Sequence, residues 1–312
     1  MRIFISGSLA YDRILNYRGY FADHILPEKL ASINVSFYVD SLEESFGGTA
    51  GNIAYTLGLL EEKPVIIATA GNDFEPYRMW LDSRHVDTGH IQTNGKLRTA
   101  FATIMTDDKN NQIAAFYPGA MQEPYALKEN TFDKNGFVIV APGNPEDMRA
   151  IPKFCREHTI RFMYDPGQSI TSLSDEDLKD GMEGAEIVIM NDYELAMVTK
   201  KTGWAPEEIL KHAEVLVTTY GENGSEIRKG NMIFKVPAGR PKDTSDPTGA
   251  GDAYRAGFAH GFLMEWPLET VGKLASLVAC YTVEKKGTQT HIFNPVSLRA
   301  RYKENFGEDL PR

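Results

Sequence analysis

Short apolar runs recur along this chain, and a stretch with apolar residues at helical spacing separates most of them. Residues 3–6, 65–70, 137–141, 160–164, 187–190 and 215–219 read as strands. Residues 51–60, with Ile53, Ala54, Leu57 and Leu60 on one face, read as a helix, as do 77–84, 146–158 and a segment from Tyr193 onward. Strands that are apolar throughout, each followed by a helix, predict an α/β fold: a mostly parallel sheet with helices on both faces. Ligands of such sheets sit beyond the C-terminal strand ends.

Two stretches break the rhythm. Residues 31–46 alternate apolar and polar, and so do 97–106 and 111–117, which flank the polar turn Asp107-Asp108-Lys109-Asn110. The first predicts a strand and the second pair a β-hairpin. Strands that leave a doubly wound sheet can form a small sheet of their own, a lid over the site. The expected division is therefore a core of residues 1–12, 47–91 and 119–312, with a small β lid of 13–46 and 92–118. Exposed edges of such a lid are able to pair two copies into a homodimer.

The 312 residues carry a net charge of −10, which argues against nucleic acid or an acidic membrane surface as partner. No segment approaches the ~18 consecutive apolar residues of a membrane span. Residues 1–6 read as a strand rather than a signal peptide. The two cysteines, Cys155 and Cys280, read as buried free thiols, so a cytoplasmic location is expected.

The chemistry concentrates in Asp246-Pro247-Thr248-Gly249-Ala250-Gly251-Asp252, which runs straight into a helical pattern. A helix N-terminus offers unpaired N–H groups and the positive end of the dipole, a natural phosphate site. Gly249 and Gly251 let the backbone approach an anion, and Asp252 in the first turn is a candidate base for an attacking hydroxyl. Gly47-Gly48 precede another helix start and read as a hinge. Asn52, in its first turn, is either a ligand donor or a cap. Asp12 is either a turn residue or an acceptor for sugar hydroxyls. Residues 219–224, with two glycines, read as a turn able to pass close to a purine. Asn191 and Glu194 match a capping box, or place Glu194 on a water-bound Mg2+. Phe37, Phe101 and Phe116 lie in the candidate lid, where rings either stack on a base or form the lid's own core. P-loop, Rossmann, zincin and nucleophile-elbow signatures are missing where they would be needed.

Together these residues resemble the ribokinase/PfkB family of carbohydrate and nucleoside kinases. The two glycine-rich regions match residues 47–54 and 246–252, the Asn-x-x-Glu motif matches Asn191 and Glu194, and a Thr-x-Gly-x-x-Gly turn matches Thr219, Gly221 and Gly224. Within the family the chain is most similar to the bacterial adenosine kinases. The resemblance implies that Asp12, Gly48 and Asn52 hold ribose hydroxyls, with Ser8 and Ser36 near the base and Phe37, Phe101 and Phe116 stacking on it. It implies an anion hole at Gly249, Ala250 and Gly251, ATP along 219–224 with Asn191 and Thr248, and Asp252 as base. Mg2+ is expected near Glu194, and a monovalent cation, K+ in many relatives, at Asp246 and Thr248 with further ligands near Gly287. Where similar enzymes carry two glutamines after Asp165-Pro166, this chain has Gln168 and then the shorter Ser169. The expected activity is ATP-dependent phosphorylation of adenosine at its 5′-hydroxyl. A kinase for another nucleoside or for ribose, and a catalytically silent nucleoside sensor, are the alternatives.

Overall fold

The structure, a computed structural model, describes residues 1–109 and 111–311; Asn110 of the expected hairpin turn and Arg312 lie outside the described residues. In chain order the elements are β1 (Ile3–Ser6), β2 (Ala10–Asn16), β3 (Ser41–Gly47), α1 (Thr49–Leu59), β4 (Val65–Ala70), α2 (Glu75–Asp82), β5 (Ile91–Thr93), β6 (Ala100–Thr106), β7 (Gln112–Tyr117) and β8 (Phe137–Val140). They continue with α3 (Pro145–Glu157), β9 (Arg161–Tyr164), α4 (Asp175–Met182), β10 (Ile187–Asn191), α5 (Asp192–Thr202), α6 (Pro206–His212), β11 (Val215–Thr219), β12 (Ser225–Lys229) and β13 (Met232–Val236). The last three are α7 (Ala250–Leu263), α8 (Leu268–Val283) and α9 (Pro295–Phe306).

The large sheet has the order β13-β12-β11-β10-β9-β8-β1-β4-β5. Every pair from β5 to β11 is parallel, and β12 and β13 add an antiparallel hairpin at one edge. Successive side chains of a strand point to opposite faces, and both faces are filled here. Ile3, Ile5 and Ile139 pack with α1, α7 and α8 on one side, while Phe4, Val138 and Val140 pack with α3, α4 and α5 on the other. That two-sided burial explains why the strands read as continuous apolar runs. The strand order reverses between β1 and β8, and a crevice opens there beyond the strand ends.

The chain leaves the top of β1 at once to build a second sheet, in the order β3-β2-β6-β7. The hairpin of β6 and β7 is the expected one. The other lid strand differs from expectation. Residues 31–40 form no strand, and only Ser41–Gly47 does. Of the apolar positions before it, Phe37 packs edge-on against Tyr17, Phe21 and His24, while Ile33 and Val35 are exposed. Ala10–Asn16, which contains Asp12, is a strand rather than a turn, so the small sheet begins before residue 13. The expected junction at 91/92 falls inside β5, which pairs with β4 of the large sheet.

Ile139 lies fully buried in β8 beside the crevice. Ile139→Ala is expected to cost about 2–5 kcal/mol through lost burial and a residual cavity. Urea unfolding should show a lower midpoint with an unchanged slope.

Candidate active site

The N-termini of α1 and α7, far apart in sequence, point into the same crevice. Gly48 precedes α1 with φ 87°, and a side chain there would run into the Ser8 carbonyl at 2.5 Å. A Cβ on Gly47 would lie 2.3 Å from the Asp12 carboxylate. The glycine pair thus allows close approach of three chain segments. It is also pinned, since the Tyr77 hydroxyl donates to the Gly47 carbonyl (2.8 Å) and Thr288 Oγ1 to that of Phe46 (2.6 Å). Gly249 precedes α7 in the left-handed conformation, φ 79°. Asp246 shapes the turn before it by accepting from the Thr248 and Gly287 amides, each at 2.9 Å. Those bonds, with Lys286 nearby, hold its pKa down despite partial burial.

Two cavities meet at this turn. One, of about 600 Å³, is bounded by Ser8, Asp12, Gly48, Asn52, Ala102, Phe116, Gln168, Ser169, Thr248, Gly249 and Asp252. The other, of about 870 Å³, is bounded by Thr219, Gly221, Gly224, Arg240, Ala250, Gly251, Tyr254 and Cys280 among others. Residues 247–252 form the partition: Thr248, Gly249 and Asp252 face the first cavity, and Pro247, Ala250 and Gly251 face the second. The first-turn amides of α7 therefore sit between two spaces, each large enough for a small molecule.

Asp252 lies in the first cavity, where Asn52 Nδ2 donates to its Oδ2 at 2.8 Å. Burial raises its pKa, while the Arg255 charge and the Asn52 hydrogen bond pull the other way. Arg255 is itself buried and makes a bidentate ion pair with Asp165 at the end of β9, Nη2 to Oδ1 at 2.8 Å. It also lies 3.8 Å from Glu194. Asp12 is pushed up to about 6, first by burial and then by the charges of Asp252 and Asp246. Among the described residues no lysine or arginine lines the first cavity, and Arg240 alone of these lines the second. A polyphosphate bound here would need a metal ion to screen it. Among the described residues no group of three or more His, Cys, Asp or Glu side chains is arranged to hold one.

The structure brings Ser8, Asp12, Gly48, Asn52, Phe116, Gln168, Thr248, Gly249 and Asp252 to one cavity, and Thr219, Gly221, Gly224, Ala250 and Gly251 to the other. Six expected residues lie elsewhere, one of them Asp246, which holds the turn before α7 as described above. Phe101 pairs with Tyr11 and Tyr117, one register position from the row of Asp12, Ala102 and Phe116. The pleat turns it to the opposite face, where it takes the Arg13 guanidinium over its ring. Phe37 belongs to the aromatic cluster described above, and Ser36 is exposed outside the cavity. Asn191 and Glu194 line neither cavity, because they cap α5 reciprocally: Asn191 Oδ1 accepts from the Glu194 amide and Glu194 Oε2 from the Asn191 amide, both at 2.7 Å. The sequence reading missed Arg255, Asp165 and Gln122. Arg255 follows Asp252 by three residues on a helix that is otherwise apolar there, and a cation in that position was the available signal. Cys155 and Cys280 are free and buried, as expected. No helix among the described residues is long and apolar enough to cross a membrane.

Residues 8–294 match the model of the pfkB family carbohydrate kinases, and the chain belongs to that family. It is a ribokinase-like α/β phosphotransferase with an alcohol acceptor. A nucleoside kinase from Methanothermobacter thermautotrophicus is 31% identical over 283 residues, 89% of this chain and 91% of that protein. The structure of a nucleoside kinase from Burkholderia thailandensis in complex with inosine superposes with a TM-score of 0.87 at 34% identity, covering 98% of this chain and 99% of that one. Its complex with ADP and inosine superposes at 0.86, with 35% identity and coverage of 99% and 97%.

Ionised, Asp12 accepts through both oxygens; protonated, one of them becomes a donor and the hold on two hydroxyls weakens. With its pKa near 6, the KM for the acceptor should rise as pH falls through that value and be flat above it. Asp12→Asn should raise KM and abolish this limb in initial-rate profiles. Gly48→Ala should lose activity even where it folds, because its Cβ meets backbone.

Proposed function

We propose that this protein is an ATP-dependent nucleoside kinase that phosphorylates the 5′-hydroxyl of purine nucleosides, adenosine among them. The observation that carries the reading is the partition at residues 247–252: one face of the turn borders a cavity with the polar groups of a ribose site, and the other borders a cavity for a nucleotide. The names of the similar proteins support a nucleoside rather than a bare sugar, and so does the size of the first cavity.

In this reading Asp12, the Gly48 backbone and Asn52 hold the ribose hydroxyls. Phe116 offers a ring to the base, and the Gln168 and Gln122 amides bound the same cavity. An amide presents both a donor and an acceptor, so it can meet either a 6-amino or a 6-oxo purine edge. ATP lies along Thr219, Gly221 and Gly224 with its terminal phosphate on the amides of Gly249, Ala250 and Gly251. Asp252 orients the 5′-hydroxyl and takes its proton as the oxygen attacks the γ-phosphorus in line. The bond to the β,γ-bridging oxygen breaks, and ADP leaves. Mg2+ supplies charge neutralisation on the β- and γ-oxygens. Asp246 and the loop around Thr248 and Gly287 would hold a monovalent cation, whose charge would offset that of the neighbouring carboxylates. Two copies pair through the small sheet, whose β7 exposes Ile113, Phe116 and Tyr117, and the enzyme works in the cytoplasm.

The test is an acceptor panel of adenosine, inosine, guanosine, cytidine and ribose, each with ATP and Mg2+, with and without K+. Adenosine and inosine should be turned over and ribose poorly; turnover of ribose alone would overturn the reading, and nucleoside binding without ADP formation would mark a sensor. Asp252→Asn should lower kcat by about 10²–10⁴-fold with the melting temperature nearly unchanged.

A further inference from the structure

Behind Asp252 a chain of hydrogen bonds runs from the first cavity, through Asn52, to Gln289, Tyr77 and Trp80, which line neither cavity and which the proposed chemistry does not use. Trp80 Nε1–H donates to Gln289 Oε1 at 3.0 Å. Gln289 Nε2 donates to Asn52 Oδ1 at 3.0 Å and also to the Tyr77 hydroxyl. Asn52 Nδ2 donates to Asp252 at 2.8 Å. Gln289 is 4% exposed and Asn52 8%, so most of the surface of both amides is turned to protein partners. The polarity of the chain is set at both ends. An indole N–H can only donate, and an ionised carboxylate can only accept. Trp80 therefore turns the Gln289 oxygen toward itself, which leaves the Gln289 nitrogen facing Asn52, which in turn leaves the Asn52 nitrogen facing Asp252.

Two details show that the fold gives way to this chain. Gln289 has φ 58°, in the left-handed region that favours glycine, and its amide hydrogen bonds hold the side chain there. Gly51, on α1 beside Asn52, has no side chain, and a Cβ there would lie 1.9 Å from the Tyr77 hydroxyl oxygen and 3.1 Å from Gln289 Nε2.

We propose that Gln289 is a positioning residue for phosphoryl transfer: it fixes the orientation of the Asn52 amide so that the base receives a donor and not a carbonyl. The proposal rests on the reading of Asp252 as base. An asparagine side chain has two nearly isosteric amide orientations. The wrong one sets a carbonyl oxygen against the carboxylate, which disfavours its ionised form. The charged groups around Asp252 are Arg255 on its own helix, Glu194 on α5, Asp12 on β2 and Asp165 after β9. Tyr77 on α2 also faces it. Gln289→Met leaves all of these groups in place, whereas Gln289→Glu adds a charge, so the shift of the limb is read first in Gln289→Met and Trp80→Phe.

The experiment compares Gln289→Glu with Gln289→Met. Both nearly preserve volume, but they act on Asn52 differently. The new carboxylate can accept from Trp80 and from Asn52 together, so it draws the Asn52 nitrogen away and points the oxygen at Asp252. Methionine only releases the amide. The expected order of kcat is therefore wild type, then Gln289→Met down about 10-fold, then Gln289→Glu down about 100-fold, on the scale of a general base partly lost. The acid limb of the kcat profile should move to higher pH in Gln289→Glu and by less in Gln289→Met. Trp80→Phe, which frees Gln289 to turn without changing it, should shift the limb in the same direction and covers the case in which Gln289→Glu does not fold. A residue that merely packs predicts instead that activity follows melting temperature, that Gln289→Glu is no worse than Gln289→Met, and that the limb stays put; any of these overturns the proposal. Asp252→Asn is run beside them. If it keeps turnover, the base assignment fails; if it is inactive while the Gln289 variants match wild type, only the positioning role fails.

Discussion

One hydrogen bond, from Asn52 to Asp252, joins the first turns of two helices that begin two hundred residues apart. Everything at the site depends on those two helix ends meeting. Each is preceded by a glycine with positive φ, and each starts above the C-terminal edge of the parallel sheet. Two positive dipole ends then converge on one volume, where their field favours anions. The sheet's reversal at β1 and β8 makes the room, and the two glycine turns let the chain enter it.

That convergence also bears on the carboxylates. Asp12, Asp246 and Asp252 stand near one another with no basic side chain among the described residues lining the acceptor cavity. Three devices keep this tolerable. The Asn52 amide donates to Asp252, Arg255 supplies a buried positive charge from below, and Asp246 is bound by two backbone N–H groups. Arg255 is in turn neutralised by Asp165, so the loop carrying Gln168 and the helix carrying Asp252 are tied by one ion pair. Removing either partner alone would strand a buried charge, a costly arrangement.

Much of this was legible in the sequence, for physical reasons that differ by element. Buried parallel strands must be apolar on both faces, so 65–70 and 215–219 read to their true ends. The cradle could be read because close backbone approach demands glycine and a helix start favours an acid. What escaped was decided by tertiary context. Ala10–Asn16 does not read as a strand, since Asp12, Arg13 and Asn16 break its apolar pattern and Asp12 faces the first cavity. Residues 31–40 alternate like a strand, yet Phe37 joins an aromatic cluster while Ile33 and Val35 are exposed. Phe101 and Phe116 look equivalent until pairing register puts them on opposite faces. Asn191 and Glu194 satisfied both of the meanings that a capping box and a metal motif share, and the structure shows the first. Gln289 carried no local sign, because its meaning lies in partners on α1 and α2.

The pinned root of the small sheet has a mechanical consequence. Tyr77 and Thr288 grip the carbonyls of Gly47 and Phe46, and the Tyr11 hydroxyl grips that of Asp73. A door swinging at the glycine pair would have to tear these clamps together and drive Asp12 into the backbone beside it. Access to the crevice is better served by flexure further out, where the strands carry Leu42 and Ile113 in solvent. The clamps make the small sheet a leaf spring fixed at its base, and the carboxylate nearest the fixed end is the one that bending at the tip would displace least.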